Sequence, residues 1–197
     1  MKVKFFVSYP FNLVLGWFVN KNFNLNDYEK LEVKGKELEK EWKKIEKRVF
    51  TKIEKYSKIK WKYKKFYCYL VRDGFRGMSI YDPLTIKVEK NVRDTIKSLI
   101  HELIHLNLYT KDFSKLKPKG YSPTIFYHIP LYLIYNRVLR ELFPKDKKIY
   151  SPPIYRFKDK EYLKAIKISR QLDLLWRKSN KNIHAFMRYC LDKGLIK

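Results

Sequence analysis

Apolar residues at Leu38, Trp42, Ile45, Val49, Ile53 and Tyr56 recur at alternating steps of four and three, which predicts one buried stripe along a helix. Asn24-Leu-Asn-Asp27 upstream supplies the cap chemistry that begins it. Its opposite face is almost wholly Lys and Glu, as expected of a solvated surface laced by i,i+4 pairs, a surface for polyanions being the other reading. Before it, Val3–Ser8 is β-branched and aromatic and predicts a strand ended at Tyr9-Pro10. Phe11–Val19 is apolar enough for a second buried strand or a short helix, and the pattern leaves both open.

Trp61–Val71 carries the residues of a strand, Arg72–Gly77 those of a turn, and Met78–Tyr81 with Leu84–Val88 one or two further strands split at Asp82-Pro83. Asn91 then caps a helix to about Tyr109. Ile96, Leu99, Ile100, Leu103 and Leu106 form its predicted core stripe, with Asp94, Ser98, His101, His105 and Leu108 on the other side. Residues 110–122 have loop composition, and Pro123–Phe143 is helical in its second half at least, Pro130 either starting or kinking that helix. Tyr150–Lys158 reads as a linker before two terminal helices, Asp159–Trp176 and Lys181–Lys193, a hairpin closing the core or a small appendage.

The elements predict an α+β fold, a small mainly antiparallel sheet packed on several helices. Residues 1–149 form the principal domain and 150–197 a helical extension. The chain's 197 residues, 45% hydrophobic and 17% aromatic, exclude a disordered protein despite 33% charged residues. Lys and Arg number 45 against 20 Asp and Glu, a net charge of +25 spread along the whole length. Such a surplus favours polyanions, nucleic acid foremost; a lysine-rich solvated surface is the alternative. Cys68 and Cys190 have no metal-ribbon or disulfide spacing and suit a reducing, cytoplasmic setting. The apolar start resembles a signal peptide, but Ser8, Pro10 and Asn12 interrupt it and no cleavage pattern follows, so it reads as folded structure, with no transmembrane segment.

The chemistry lies in His101-Glu102-Leu-Ile-His105. Residues four apart share a helix face, so two imidazoles can reach one metal ion while the carboxylate of Glu102 stands beside the open coordination position. A catalytic zinc has three protein ligands, so a third is required. Among downstream donors His128 and Glu141 are the candidates, with His184 behind them. On a helical wheel His128 shares its face with Leu131, Tyr132, Tyr135, Leu139 and Leu142, and Glu141 lies nearer Arg137 on the polar edge.

Ile100-His-Glu-Leu-Ile-His-Leu resembles the active-site helix of zincin metallopeptidases, and the order of strands, motif helix and later ligand helix is similar to the small gluzincin-like type. The motif also resembles that of SprT-like proteases, which act on proteins crosslinked to DNA and would suit the positive charge. The resemblance implies a zincin-like fold with the motif helix central. It implies one zinc ion on His101, His105 and His128, or Glu141 in the gluzincin manner, and peptide hydrolysis with Glu102 as general base toward a zinc-bound water. Tyr127 and Tyr121 are candidates for the oxyanion hydrogen bond. Zincins pair an extended peptide substrate with an edge strand, for which Leu84, Thr85, Ile86, Lys87 and Val88 are the candidates. The competing expectation is a basic nucleic-acid-binding protein whose histidines hold a structural metal or none. A third is a peptidase kept latent by its own loop or terminal helices.

Overall fold

The computed structural model describes residues 1–73, 77–78, 83–109, 116, 120–145 and 160–196. The predicted strand beyond Met78, most of the 110–122 loop, the 150–158 linker and the 149/150 boundary lie outside the described residues.

The fold is α+β. Along the described residues run β1 (Lys2–Val7), α1 (Tyr9–Phe18), α2 (Leu25–Ser57), β2 (Lys65–Val71), β3 (Gly77–Met78), β4 (Leu84–Lys87), α3 (Val92–Leu108), α4 (Pro123–Leu142), α5 (Lys160–Lys178) and α6 (Ile183–Asp192). The strands form one sheet in the order β1-β2-β4-β3. β1 with β2 and β2 with β4 run parallel, and only the two-residue β3 is antiparallel to β4. The expected mainly antiparallel sheet is therefore corrected to a mainly parallel one. The connection from β1 to β2 contains all of α1 and α2, and a long helical crossover of that kind returns the chain in the same direction. The expected edge position of Leu84–Val88 is corrected as well: β4 is an inner strand, with β2 on one side and the two-residue β3 paired to Thr85 and Ile86 on the other.

The chain gathers into two compact units, residues 1–50 with 62–103 and residues 51–61 with 104–197; two of the boundaries, 50/51 and 103/104, fall within the continuous helices α2 and α3, and the third lies between α2 and β2. In the first unit Asn24 and Asp27 cap α2 reciprocally, each side chain accepting from the other's backbone N–H at 3.0 and 3.2 Å. The helix extends well beyond the stripe that predicted it, to 33 residues. Gly35 lets it lie close on the sheet: a Cβ there would stand 3.1 Å from Leu70 Cδ1 and 3.4 Å from Val7 Cγ2. Trp42, Phe50 and Phe66 fill the core beneath, Phe50 stacked on Phe66 with centroids 5.6 Å apart. Glu46 accepts both from Trp42 Nε1 and from the Val3 N–H on the outer edge of β1.

Of the two readings of 11–19 the helix is the outcome. Ser8 caps it by accepting from the Phe11 N–H, and Pro10 sits in its first turn, where no N–H is needed. Asn12, buried in α1, donates to the Leu70 carbonyl at 3.1 Å and accepts from the Arg72 N–H at 3.0 Å, adding a side-chain rung at the end of β2. Phe11, Val14, Trp17 and Phe18 are exposed, contrary to the burial that their hydrophobicity predicted.

In the second unit α4 packs along α5, tied by Arg137 to Asp173 at 3.1 Å. Trp176 of α5 meets Phe186 of α6 at 4.9 Å, and Asn182 caps α6 by accepting from the Ala185 N–H. No described helix is long and apolar enough to cross a membrane.

Candidate metal site

Asn91 accepts from the Arg93 N–H at 2.8 Å, the predicted cap of α3, and Thr95 in the first turn accepts from the Glu89 N–H at 2.9 Å. Every residue from Thr95 to Ile104 is buried. Along that stretch the helix has no polar side of its own: His101 and Glu102 are buried like the aliphatic residues, His105 is half-buried, and Leu106, expected in the core, is half-buried while Leu108 is buried. A helix covered all round belongs to a protein interior, so the polar residues on it, His101 and Glu102 among them, are held where burial has a cost and a role offsets it.

His128 arrives from α4. Ser122 caps this helix by accepting from the Ile125 N–H, with Pro123 as its first residue, so Pro130 lies inside the helix and His128 stands in regular helical structure ahead of it. One ligand atom from each of His101, His105 and His128 lies within 4.8 Å of the others. The rings of His105 and His128 meet edge-on with centroids 4.8 Å apart, and His101 is one turn back from His105 on the same helix. Three imidazoles around a tetrahedral zinc at about 2.0–2.1 Å would place their nitrogens about 3.3 Å apart.

The electrostatics fit such a ligand set. Burial, and then the neighbouring His128, hold the pKa of His105 well below the ordinary histidine value, so the ring stays neutral with a lone pair to offer. His128 Nδ1 faces the Thr124 carbonyl at 2.6 Å; a proton on Nδ1 donated to that oxygen fixes the tautomer and leaves Nε2 as the ligand atom. Glu102 is buried, and its charge reaches Cys68 on the inner face of β2, whose thiol is pushed far up by burial first and by that carboxylate second. Cys68 is accordingly a thiol at neutral pH.

Of the other expected site residues, Glu141 hydrogen-bonds with Tyr56 and pairs with Lys52, with Lys55 at 3.8 Å. His184 Nε2 donates to the Leu108 carbonyl at 3.1 Å, filling an acceptor at the end of α3. Tyr127 packs edge-on against Phe126, and Lys164 Nζ stands 4.8 Å from the Tyr121 ring centroid. Sequence reasoning missed Tyr162: from the first turn of α5 its ring meets His128 edge-on at 4.6 Å. It also missed the Thr124 carbonyl. A tyrosine in a terminal amphipathic helix carries no signal of its own, but Thr124, four residues before His128 on a helix, was available as an orienting acceptor once the helix start was known.

No protein-family description matches the chain, and comparisons with curated proteins and with solved structures found no match.

Proposed function

We propose that this protein is a zinc-dependent peptidase of zincin-like design, the reading carried by the convergence of His101, His105 and His128 with Glu102 on the same helix. The donor set is three imidazoles, the His105 ring among them held neutral, and imidazole nitrogen suits zinc. Zinc held there would polarise a scissile carbonyl and lower the pKa of water beside it. Glu102, next in sequence to the first ligand, takes the proton from the attacking water and passes it to the leaving amine. The Thr124 carbonyl keeps the His128 ring oriented, and Tyr162, beside that ring, joins Tyr127 and Tyr121 as a donor to a developing oxyanion. Two free, buried cysteines accord with a cytoplasmic setting.

Elemental analysis of the natively purified chain tests the reading, with about one zinc per chain expected. Glu102→Gln should keep that zinc and lose roughly 10²–10⁴-fold in peptide hydrolysis. A chain free of transition metal, or a Gln variant that cleaves as well as the parent, would sink it.

A further inference from the structure

Parallel sheets ordinarily have both faces covered, because their crossovers lay helices on each side. Among the described residues of this sheet, one face carries the buried core and the other keeps exposed side chains. Pairing sets Lys2 beside Lys65, Lys4 beside Tyr67 and Phe6 beside Tyr69, and paired neighbours project to the same side. The intervening residues Val3, Phe66, Cys68 and Leu70 are buried, so these six form the opposite face. There Lys2, Lys4 and Lys65 are exposed, and Phe6 and Tyr67 keep 40% and 38% of their surface in water. The rings touch in series: Phe6 lies 5.8 Å from Tyr67 and 5.9 Å from Tyr69, and Phe11 of α1 continues the row 5.2 Å from Tyr69. Lys65 Nζ stands 5.3 Å from the Tyr67 ring centroid. No carboxylate occurs in β1, β2 or β4.

We propose that this open face binds single-stranded nucleic acid, with bases stacked on Phe6, Tyr67 and Tyr69 and backbone phosphates held by Lys2, Lys4 and Lys65. The inference is independent of the histidines. A strand of unpaired bases presents flat π-faces every few ångströms and a charge with each, and a row of rings interleaved with lysines complements both. A duplex hides the faces of its bases and would engage only the lysines. Membrane-surface elements separate a basic face from an apolar one, whereas lysine and aromatic positions here share one face. The exposed Val14, Trp17 and Phe18 of α1 are the place where a lipid surface would compete.

Fluorescence anisotropy with a labelled oligothymidylate, alone and annealed to its complement, across a salt series, tests the proposal. The single strand should bind about tenfold or more tighter than the duplex, and Phe6→Ala with Tyr67→Ala should cost about tenfold or more at every salt concentration while leaving the salt slope unchanged. Lys2→Glu, Lys4→Glu and Lys65→Glu together should flatten the slope of log affinity against log salt by about two. The same number of reversals on α2, at Lys36, Lys40 and Lys47, should flatten it less. The lysine variant alters only exposed side chains and keeps the test valid should the aromatic pair fail to fold. Equal or tighter duplex binding, or a normally melting aromatic variant that binds as the parent does, overturns the proposal. So does a chain that ignores both nucleic acids yet cosediments with phosphatidylglycerol vesicles or dimerises through this face.

Discussion

The two ends of α4 carry the two residues that competed for the third ligand position, and the helix uses them differently. Near its start His128 is buried, its ring fixed by the Thr124 carbonyl and set against His105. Near its end Glu141 is half-buried among Tyr56, Lys52 and Lys55. A carboxylate already satisfied by ammonium groups and a hydroxyl would have to lose those partners to reach a metal. A buried imidazole whose Nδ1 already faces the Thr124 carbonyl keeps its Nε2 for one. Residue type alone permitted both; their neighbours separate them.

The sharpest way to break this comparison is metal content. His128→Ala should weaken zinc binding by more than the roughly 10–100-fold typical of losing an outer-shell partner, while Glu141→Ala should bind zinc as the parent does. Isothermal titration of the two variants side by side decides it, and a Glu141 variant that loses the metal would reverse the assignment.

Much of this contrast was legible beforehand. The helical wheel put His128 inward and Glu141 on the polar edge, because side-chain spacing fixes direction once a helix is assumed. The spacing of His101 and His105 and the caps at Asn24 and Asn91 were legible for the same reason: each is local. What escaped was non-local. Strand direction depends on how a crossover returns, which the strand residues themselves do not encode, so the sheet was expected antiparallel and Leu84–Val88 was expected at an edge. Burial around α3 escaped too, since its polar residues imitate a solvent face until the packing around them is seen. Phe11, Val14, Trp17 and Phe18 misled in the other sense, because hydrophobicity says what burial would gain and not whether a neighbour provides it.

Acid separates the same two regions into different pH windows. His105 has its folded-state pKa depressed, so the unfolded chain binds the proton more readily. Stability of the metal-stripped protein is therefore full above about 6.5 and declines as pH falls below it, by at most about 1.4 kcal/mol per pH unit for one proton. Urea midpoints of the chelated chain between pH 7.5 and 5.5 should show this fall, and a flat profile would mean that His105 is readily protonated in the fold.

Toward the other end of α4, Arg137 donates to Asp173, which also binds Arg177. Burial pushes the Asp173 carboxyl up, but hydrogen bonds from Arg177 and Arg137 outweigh it and the net shift is downward. Seen from Arg137 the balance differs: burial, with Arg177 and Arg140 nearby, lowers its pKa although Asp173 opposes this. Arginine remains charged through the working range, so the aspartate is the group that titrates. Its stabilisation is present above the unfolded value of about 3.9 and is lost as pH falls through that value toward the folded one. Asp173→Asn should cost about 1 kcal/mol at neutral pH, less than for a fully buried pair because water still reaches both partners. The variant should also lose less stability than the parent below pH 4.

The smallest effect belongs to Glu141 itself. Glu141→Gln keeps an acceptor for Tyr56 and removes the charge facing Lys52 and Lys55, one of which is largely in solvent. Partly exposed pairs contribute about 0–1 kcal/mol, so the midpoint in urea should fall by that much at low salt and recover toward the parent as salt rises. Zinc content should not change. A salt-insensitive loss of several kcal/mol would mean that Glu141 is anchored by geometry instead of charge, and the contrast between the two ends of α4 would then be one of position alone.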